Sequence, residues 1–521
     1  MPVLSVIFLA LFPADNIWPH LISTTLPRYI STTVLLMISV GVLAGVVGTF
    51  TAWFVVRYSF TGSSWLQWAL LMPLAIPGYV GAYALVDLLE YAGPVQSTLR
   101  GVFGWSSSQD YWFPEIRSFG AAVFVLSLAL YPYVYLLTRV AFRDQASSVE
   151  EVARSLGASS YKRLFIINLP LARPAIAAGV AIVMMETVND FGTVDYFAVQ
   201  TLTTGIFSVW LQSSNVGGAA QLACVVLAMI ILLVSLEKLS RRKMQFFNMS
   251  SKHNKVTKIK LKGFSNLLAF SCCFVPVLLG FALPLIVLAE HSMSNPKLFL
   301  DRALIDATWN TVFTGTIAAA FTVVLSIFMV FGMKSIKGRL PKITMPITTI
   351  GYAVPGAVLG VGILIPLAAL DNGLADVIYY ITQIDIGLIF TGTSFAIILA
   401  YIVRFFAIGQ GATEAALGRI SPNLEHAARS LGKSRTSVLN RIHLPIIKGS
   451  LGSAMLLVFV DCVKELPATL LLRPFNFNTL STRVHEQASL EDLVNAAPAA
   501  IYISLVGLCA VVLLAKANKL D

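Results

Sequence analysis

Eleven long apolar runs, near 30–56, 65–89, 119–142, 174–198, 219–236, 264–289, 309–333, 343–370, 386–410, 450–472 and 497–515, leave this chain few ways to fold. A helix needs ~20 residues to cross a hydrocarbon layer of roughly 30 Å, and each run supplies about that length. Backbone polar groups in lipid must be satisfied within the segment, which selects helices. The first twelve residues are also apolar but short for a span, so about twelve transmembrane helices are expected, the first short or truncated. Of 521 residues 57% are hydrophobic and only 12% charged, against about 45–50% and about 25% in soluble domains. That balance excludes a soluble enzyme, a disordered chain and a disulfide scaffold. The expected fold is an all-α polytopic membrane protein.

The net charge of +11 does not point to nucleic acid, because the basic residues sit in short segments between apolar runs. There they face anionic membrane lipid, as cytoplasmic loops do. The five cysteines (Cys224, Cys272, Cys273, Cys462, Cys509) lie in apolar stretches without metal-ligand spacing and read as packing residues. The opening MPVLSVIFLALFP lacks a basic n-region and an A-x-A site, so no cleavable signal is expected.

The chain also repeats itself. EEVARSLGASSYKRLFIINLP at 150–170 matches EHAARSLGKSRTSVLNRIHLP at 425–445, with eleven of 21 positions identical at an offset of 275. Pro77-Gly78 answers Pro355-Gly356, Thr33-Val34 answers Thr311-Val312, and Thr201-Leu202 answers Thr479-Leu480, all at 278. The organisation that follows is a first repeat at 1–236, a basic linker at 237–262 and a second repeat at 263–521. Six spans per half is an even number, so the two six-helix repeats are parallel rather than inverted. The linker carries Lys238, Arg241, Arg242, Lys243, Lys252, Lys255, Lys258, Lys260 and Lys262 against Glu237. By the positive-inside rule it is cytoplasmic, as are both termini, while Asp87, Glu90, Asp110, Glu115 and Asp371 fall outside.

The repeated motif has the chemistry of a docking element. Ser148 is a good N-cap and Glu151 completes a capping box, while Glu150 and Glu151 suit the positive end of a helix. Ala153 leaves a flat face and Gly157 sits where a left-handed cap stops a helix. The second copy runs from Ser421-Pro422 through Glu425 and Ala428 to Gly432. A short capped helix with a small-residue face fits a groove of another protein.

The pattern from Glu151 through Gly157 to Leu169-Pro170 resembles the EAA loop of binding-protein-dependent ABC import permeases, and the likeness extends over both halves. The resemblance implies a type I ABC importer permease fold in the bacterial inner membrane. It implies two cytoplasmic ATPase subunits gripping these coupling helices, and a periplasmic or lipoprotein substrate-binding protein delivering cargo. The family glutamate is Glu151 in the first copy, but His426 occupies its place in the second, with Glu425 one residue earlier. No G-x-x-x-x-G-K-[ST] loop occurs, so ATP and Mg²⁺ belong to the partner. This chain is expected to hold no cofactor and to catalyse no reaction.

METVNDFGTVDYFAVQTLTTGIF (185–207) and VDCVKELPATLLLRPFNFNTLSTRV (460–484) resemble ferric-iron permeases of the fused two-repeat kind. Thiamine, sulfate/molybdate and polyamine permeases are more distant. Glu186 and Asp190 are four apart and would share a helix face, as would Asp461 and Glu465. Two such pairs suit a hard cation, yet Lys464 stands beside Asp461 and Asp190 can simply cap a helix end. A structural role and a place in the translocation path both stay open. Pro77-Gly78 and Pro355-Gly356 lie inside spans, as packing kinks or hinges. The six histidines show no ligand spacing, so no metal site is fixed. The outer loop 87–118, with Trp105, Tyr111 and Trp112, is long enough to meet another protein. A gradient-driven secondary transporter and a membrane scaffold are the rival functions.

Overall fold

The computed structural model describes residues 2–145, 152–153, 155–241, 258–336, 338–385, 387–418 and 420–517. Among them ten helices are long and apolar enough to cross a bilayer. A further apolar pair, Ser63–Ala75 and Gly78–Phe103, is bent by 93° at the break between its helices. Pro2–Leu11 is a shorter apolar helix. The molecule is thus an all-α polytopic membrane protein, and every apolar run of the sequence corresponds to a helix or a broken pair. Among the described residues the strand pairing is parallel and short, Tyr58–Ser59 with Ile259–Lys260, and it anchors the end of the linker.

The proline-glycine pairs do not kink continuous spans, as their sequence positions led one to expect. Each ends one element and starts another. Pro77 and Pro355 are both extended (φ −58°, ψ 145° and φ −55°, ψ 145°), and helices begin at Gly78 and Gly356. Proline disfavours helical geometry at the residue before it, and Ile76 is accordingly extended at φ −100°, ψ 122°. The span expected from 343 therefore begins at Gly356, behind the shorter helices Leu340–Thr348 and Ile350–Ala353.

The chain condenses into two compact units that cut across the sequence repeats. One joins residues 14–298 to 484–517, and the other joins residues 2–13 to 299–483. In the first, Leu26–Arg57 packs along Phe119–Asp144 and Leu169–Asn189. Gly48 permits the close crossing, because a Cβ there would stand 2.8 Å from Tyr131 O and Tyr135 N. Small residues are the usual means of bringing membrane helices together. In the second unit Arg302–Ser335 packs along Ser394–Gly418 and Leu444–Lys464. Ser326 stands there at the position equivalent to Gly48 and hydrogen-bonds Thr413 across the helices at 2.9 Å. The Pro2–Leu11 helix lies in this unit, against Gly356–Thr382, with Val6 fully buried near Gly362.

One hydrogen bond certifies the repeat in atomic detail. Leu202 N–H donates to Thr33 Oγ1 at 3.0 Å, and Leu480 N–H donates to Thr311 Oγ1 at 2.8 Å. Both threonines are 3% exposed, so water offers no replacement acceptor. Thr311→Val should cost about 1–3 kcal/mol, the penalty for an orphaned buried donor, whereas Thr311→Ser should cost less. Thermal unfolding of the detergent-purified protein checks the order of the two variants.

Candidate functional site: two loop helices and two acid-capped corners

The two repeated loop helices end in the same way. In the second copy Ser421 Oγ accepts from Asn423 N–H at 3.3 Å, and the helix runs Pro422–Ser430. Gly432 then adopts φ +77° and Lys433 N–H donates back to Ala428 O at 3.1 Å. In the first copy Gly157 also has φ +77°, and Ala158 N–H donates to Ala153 O at 3.0 Å. These are paired Schellman closures, which place a residue in left-handed geometry just past the helix. Ala153 and Ala428 are buried beneath the helices, and Leu156 and Leu431 stand 81% and 80% exposed at their tips. Glu425 is half-buried and His426 exposed. Ser148, Glu150 and Glu151 lie outside the described residues.

The exposed leucines escaped the sequence reading, although they occupy matching positions in the repeated motif. Each loop helix thus offers one large apolar side chain at its tip and a small residue at its base. A π-helical turn then leads into the span, Arg163–Asn168 in one repeat and Leu439–His443 in the other. Such turns are rare and occur mostly as single-turn bulges in helices.

The intramembrane acids do not form the shared helix faces that their four-residue spacing implied. Leu169–Asn189 stops one residue before Asp190, which is extended at ψ 133°. Leu444–Lys464 likewise stops before Glu465, at ψ 116°. Each acid instead caps a corner. Asp190 accepts from Thr193 N–H (3.0 Å), Val194 N–H (3.1 Å) and Thr193 Oγ1 (2.9 Å), starting the short helix Gly192–Tyr196. Glu465 accepts from Ala468 N–H at 3.1 Å and starts Pro467–Leu472. The corner carbonyls are bound alike, Asp190 O by Thr203 Oγ1 at 2.9 Å and Glu465 O by Ser481 Oγ at 2.8 Å.

Each corner also abuts the proline-glycine break of its own repeat, since Gly78 faces Thr193 and Asp190 while Gly356 faces Glu465 and Ala468. The capping role weighed for Asp190 is therefore realised in both halves. Glu186 and Asp461 remain half-buried, one turn inside their helices. Among the described residues no three His, Cys, Asp or Glu side chains gather closely enough to hold a metal ion.

The loop 87–118 folds back on itself. Trp105 stacks between Phe103 and Tyr111, with ring centroids 4.7 and 4.8 Å apart. Tyr111 Oη donates to Gln96 Oε1 at 2.5 Å. Arg117 bridges Glu90 (3.2 Å) and Glu491 (2.6 Å). A cavity of about 480 Å³ opens between them, with Trp112 exposed at its edge. Two histidines without ligand spacing in the sequence also acquire partners, His291 with Asp87 at 2.7 Å and His485 with Tyr83 at 3.0 Å.

The family model for the binding-protein-dependent transport system inner membrane component matches residues 37–246 and again 329–519, one copy in each repeat. The chain belongs to that family. It is a fused, two-repeat ABC importer permease, a membrane subunit rather than an enzyme. Its relatives include the Fe(3+)-transport system permease protein FbpB 2 of Haemophilus influenzae, 26% identical over 94% of this chain and 89% of the relative. A putative ferric transport system permease protein FbpB 1 of the same species is 24% identical over 93% of this chain and 76% of its own length. The molybdenum transport system permease protein ModB of Escherichia coli is 29% identical, over 38% of this permease and 86% of ModB.

Proposed function

We propose that this permease carries ferric iron, delivered by a substrate-binding protein, across the cytoplasmic membrane, driven by two separate ATPase subunits that hydrolyse ATP with Mg²⁺. The observation that supports the substrate is that the relatives sharing the fused two-repeat length, matched over 94% and 93% of this chain, are the ones named for ferric transport. The molybdenum permease, matched over 86% of its own length, answers to one repeat. The loop helices at 148–157 and 423–432 are the coupling elements, with the exposed Leu156 and Leu431 entering grooves of the ATPase. They lie on the cytoplasmic side, in keeping with the basic linker. Glu186 in one unit and Asp461 in the other are the candidate path residues, because half-buried carboxylates in spans commonly face a wet cavity.

The test is reconstituted uptake with the cognate ATPase and binding protein. Ferric iron should accumulate only with ATP and only when the binding protein is present. Accumulation of molybdate or sulfate in its place would overturn the iron assignment and leave the permease assignment standing. Uptake driven by an ion gradient without ATPase would overturn the coupling assignment.

A further inference from the structure

The two corners are built on one plan but are not held equally. Arg404, in the span Ser394–Gly418, places Nε 3.1 Å from Glu465 Oε2, with both side chains almost wholly buried. Its Nη1 is buried, has no hydrogen-bond acceptor among the described residues, and points at Gly356, where a Cβ would stand 2.6 Å away. Three residues before it on the same helix, Tyr401 Oη lies 2.6 Å from Thr469 Oγ1, on the short helix that Glu465 caps. Two side chains of one span thus grip the acid cap and the helix it starts.

The first repeat lacks both grips. At the offset of 275 that relates the two halves, Tyr401 and Arg404 correspond to Leu126 and Ala129. Asp190 has no cation within salt-bridge distance among the described residues; its carboxylate is held by Thr193 and Val194, and the helix it starts meets Tyr83 and Arg117 only through the Tyr196 ring. A small cavity of about 20 Å³, lined by Pro77, Gly78, Ala129 and Pro284, lies beside the first corner. Against Gly78 the nearest group from that span is the apolar Leu126, 3.4 Å from where a Cβ would stand, and not a guanidinium.

We infer that Arg404 is a positioning residue of the transport cycle, one that clamps the Glu465 corner to its span while the Asp190 corner is left to move. The charged pair cannot separate without leaving a buried charge unpaired in an apolar span, which is costly. The Glu465 corner therefore moves as one body with the span that grips it, and the Gly78–Asp190 break is the compliant joint. The inference rests on the permease architecture and holds whichever ion is carried.

The experiment uses the full chain assembled with its ATPase subunits in proteoliposomes. Hydrogen exchange at 467–472 and 193–197 and ATP hydrolysis without the binding protein are the readouts, and neither needs a transported substrate. In the wild type, amides at 467–472 should exchange roughly tenfold or more slowly than those at 193–197. Arg404→Met should remove that difference and raise hydrolysis without the binding protein about three- to tenfold, as the resting state loses its clamp. Arg404→Lys, which keeps the charge but not the planar fork, should restore most of the coupling.

Ala129→Arg adds a clamp rather than removing one, so it stays informative if Arg404→Met fails to fold. It should slow exchange at 193–197 and depress carrier-stimulated hydrolysis. Equal exchange at the two corners of the wild type would overturn the inference. So would Arg404→Met with unaltered basal hydrolysis, or Ala129→Arg with no effect on either readout. Failure of the wild type to take up iron, with both readouts shifting in the variants as expected, would overturn the iron assignment and leave the clamp standing.

Discussion

A permease in which Gly157 and Gly432 are both replaced by valine should reach the membrane in normal amount and transport nothing measurable. The cause is backbone geometry rather than crowding. Both glycines sit at φ +77°, and among the described residues no atom beyond the chain neighbours lies within 4 Å of where a Cβ would go at either one. A Cβ in left-handed geometry costs roughly 1–2 kcal/mol, and a β-branched side chain stands at the upper end. Each site is then disfavoured about 10- to 30-fold, and a cycle that needs both closures loses about 100-fold or more. The energy is local to a surface turn, so insertion and packing of the spans are spared. Uptake, ATPase co-purification and membrane yield are the three measurements. Gly157→Asn with Gly432→Asn should retain a substantial part of the activity, because asparagine tolerates this region. Normal uptake by the valine variant would refute the assignment of these two loops as the coupling elements.

What the sequence exposed and what it hid divide along the range of the forces involved. Hydropathy is local, and each apolar run became a helix near its expected place. The glycine caps were legible because only a residue without a Cβ suits φ +77°, and Gly157 and Gly432 recur at one offset. At the corners the shared-face reading failed because helical periodicity was carried through Asp190 and Glu465, while the cap weighed for Asp190 was realised. Whether a helix ends at an acid depends on which backbone N–H groups fold back to it, here those of Thr193, Val194 and Ala468. Arg404 gave no sign of its role, since it appeared as one basic residue within an apolar run. Its partner Glu465 is remote in sequence, and Lys464 was the nearer candidate for neutralising the acids. The packing of Pro2–Leu11 against Gly356–Thr382 was equally hidden, since no local pattern tells a helix which repeat it will join.

The sharpest contrast between the two corners should come from the smallest substitution, alanine for glycine at the proline-glycine breaks. At Gly356 the added methyl would fall inside van der Waals contact of Glu465 Oε1 and 2.6 Å from Arg404 Nη1. Neither atom can retreat without opening a buried ion pair, so overpacking at about 1–3 kcal/mol is compounded by the loss of the pair at about 3–5 kcal/mol. At Gly78 the nearest atom is Thr193 Oγ1 at 3.0 Å, with Leu126 at 3.4 Å and Asp190 Oδ2 at 3.8 Å. A few tenths of an ångström of movement accommodates it, and the cost should stay below about 1.5 kcal/mol. Gly356→Ala should therefore leave little folded protein after a mild heat step that Gly78→Ala survives, read as the monodisperse fraction in detergent. Because the damage at Gly356 runs through the ion pair, it should shrink in an Arg404→Met background, as expected for residues that share one contact. Equal losses for the two alanine variants, or full additivity with Arg404→Met, would mean that the Gly356 methyl acts on the backbone of the break and not through the Arg404–Glu465 contact.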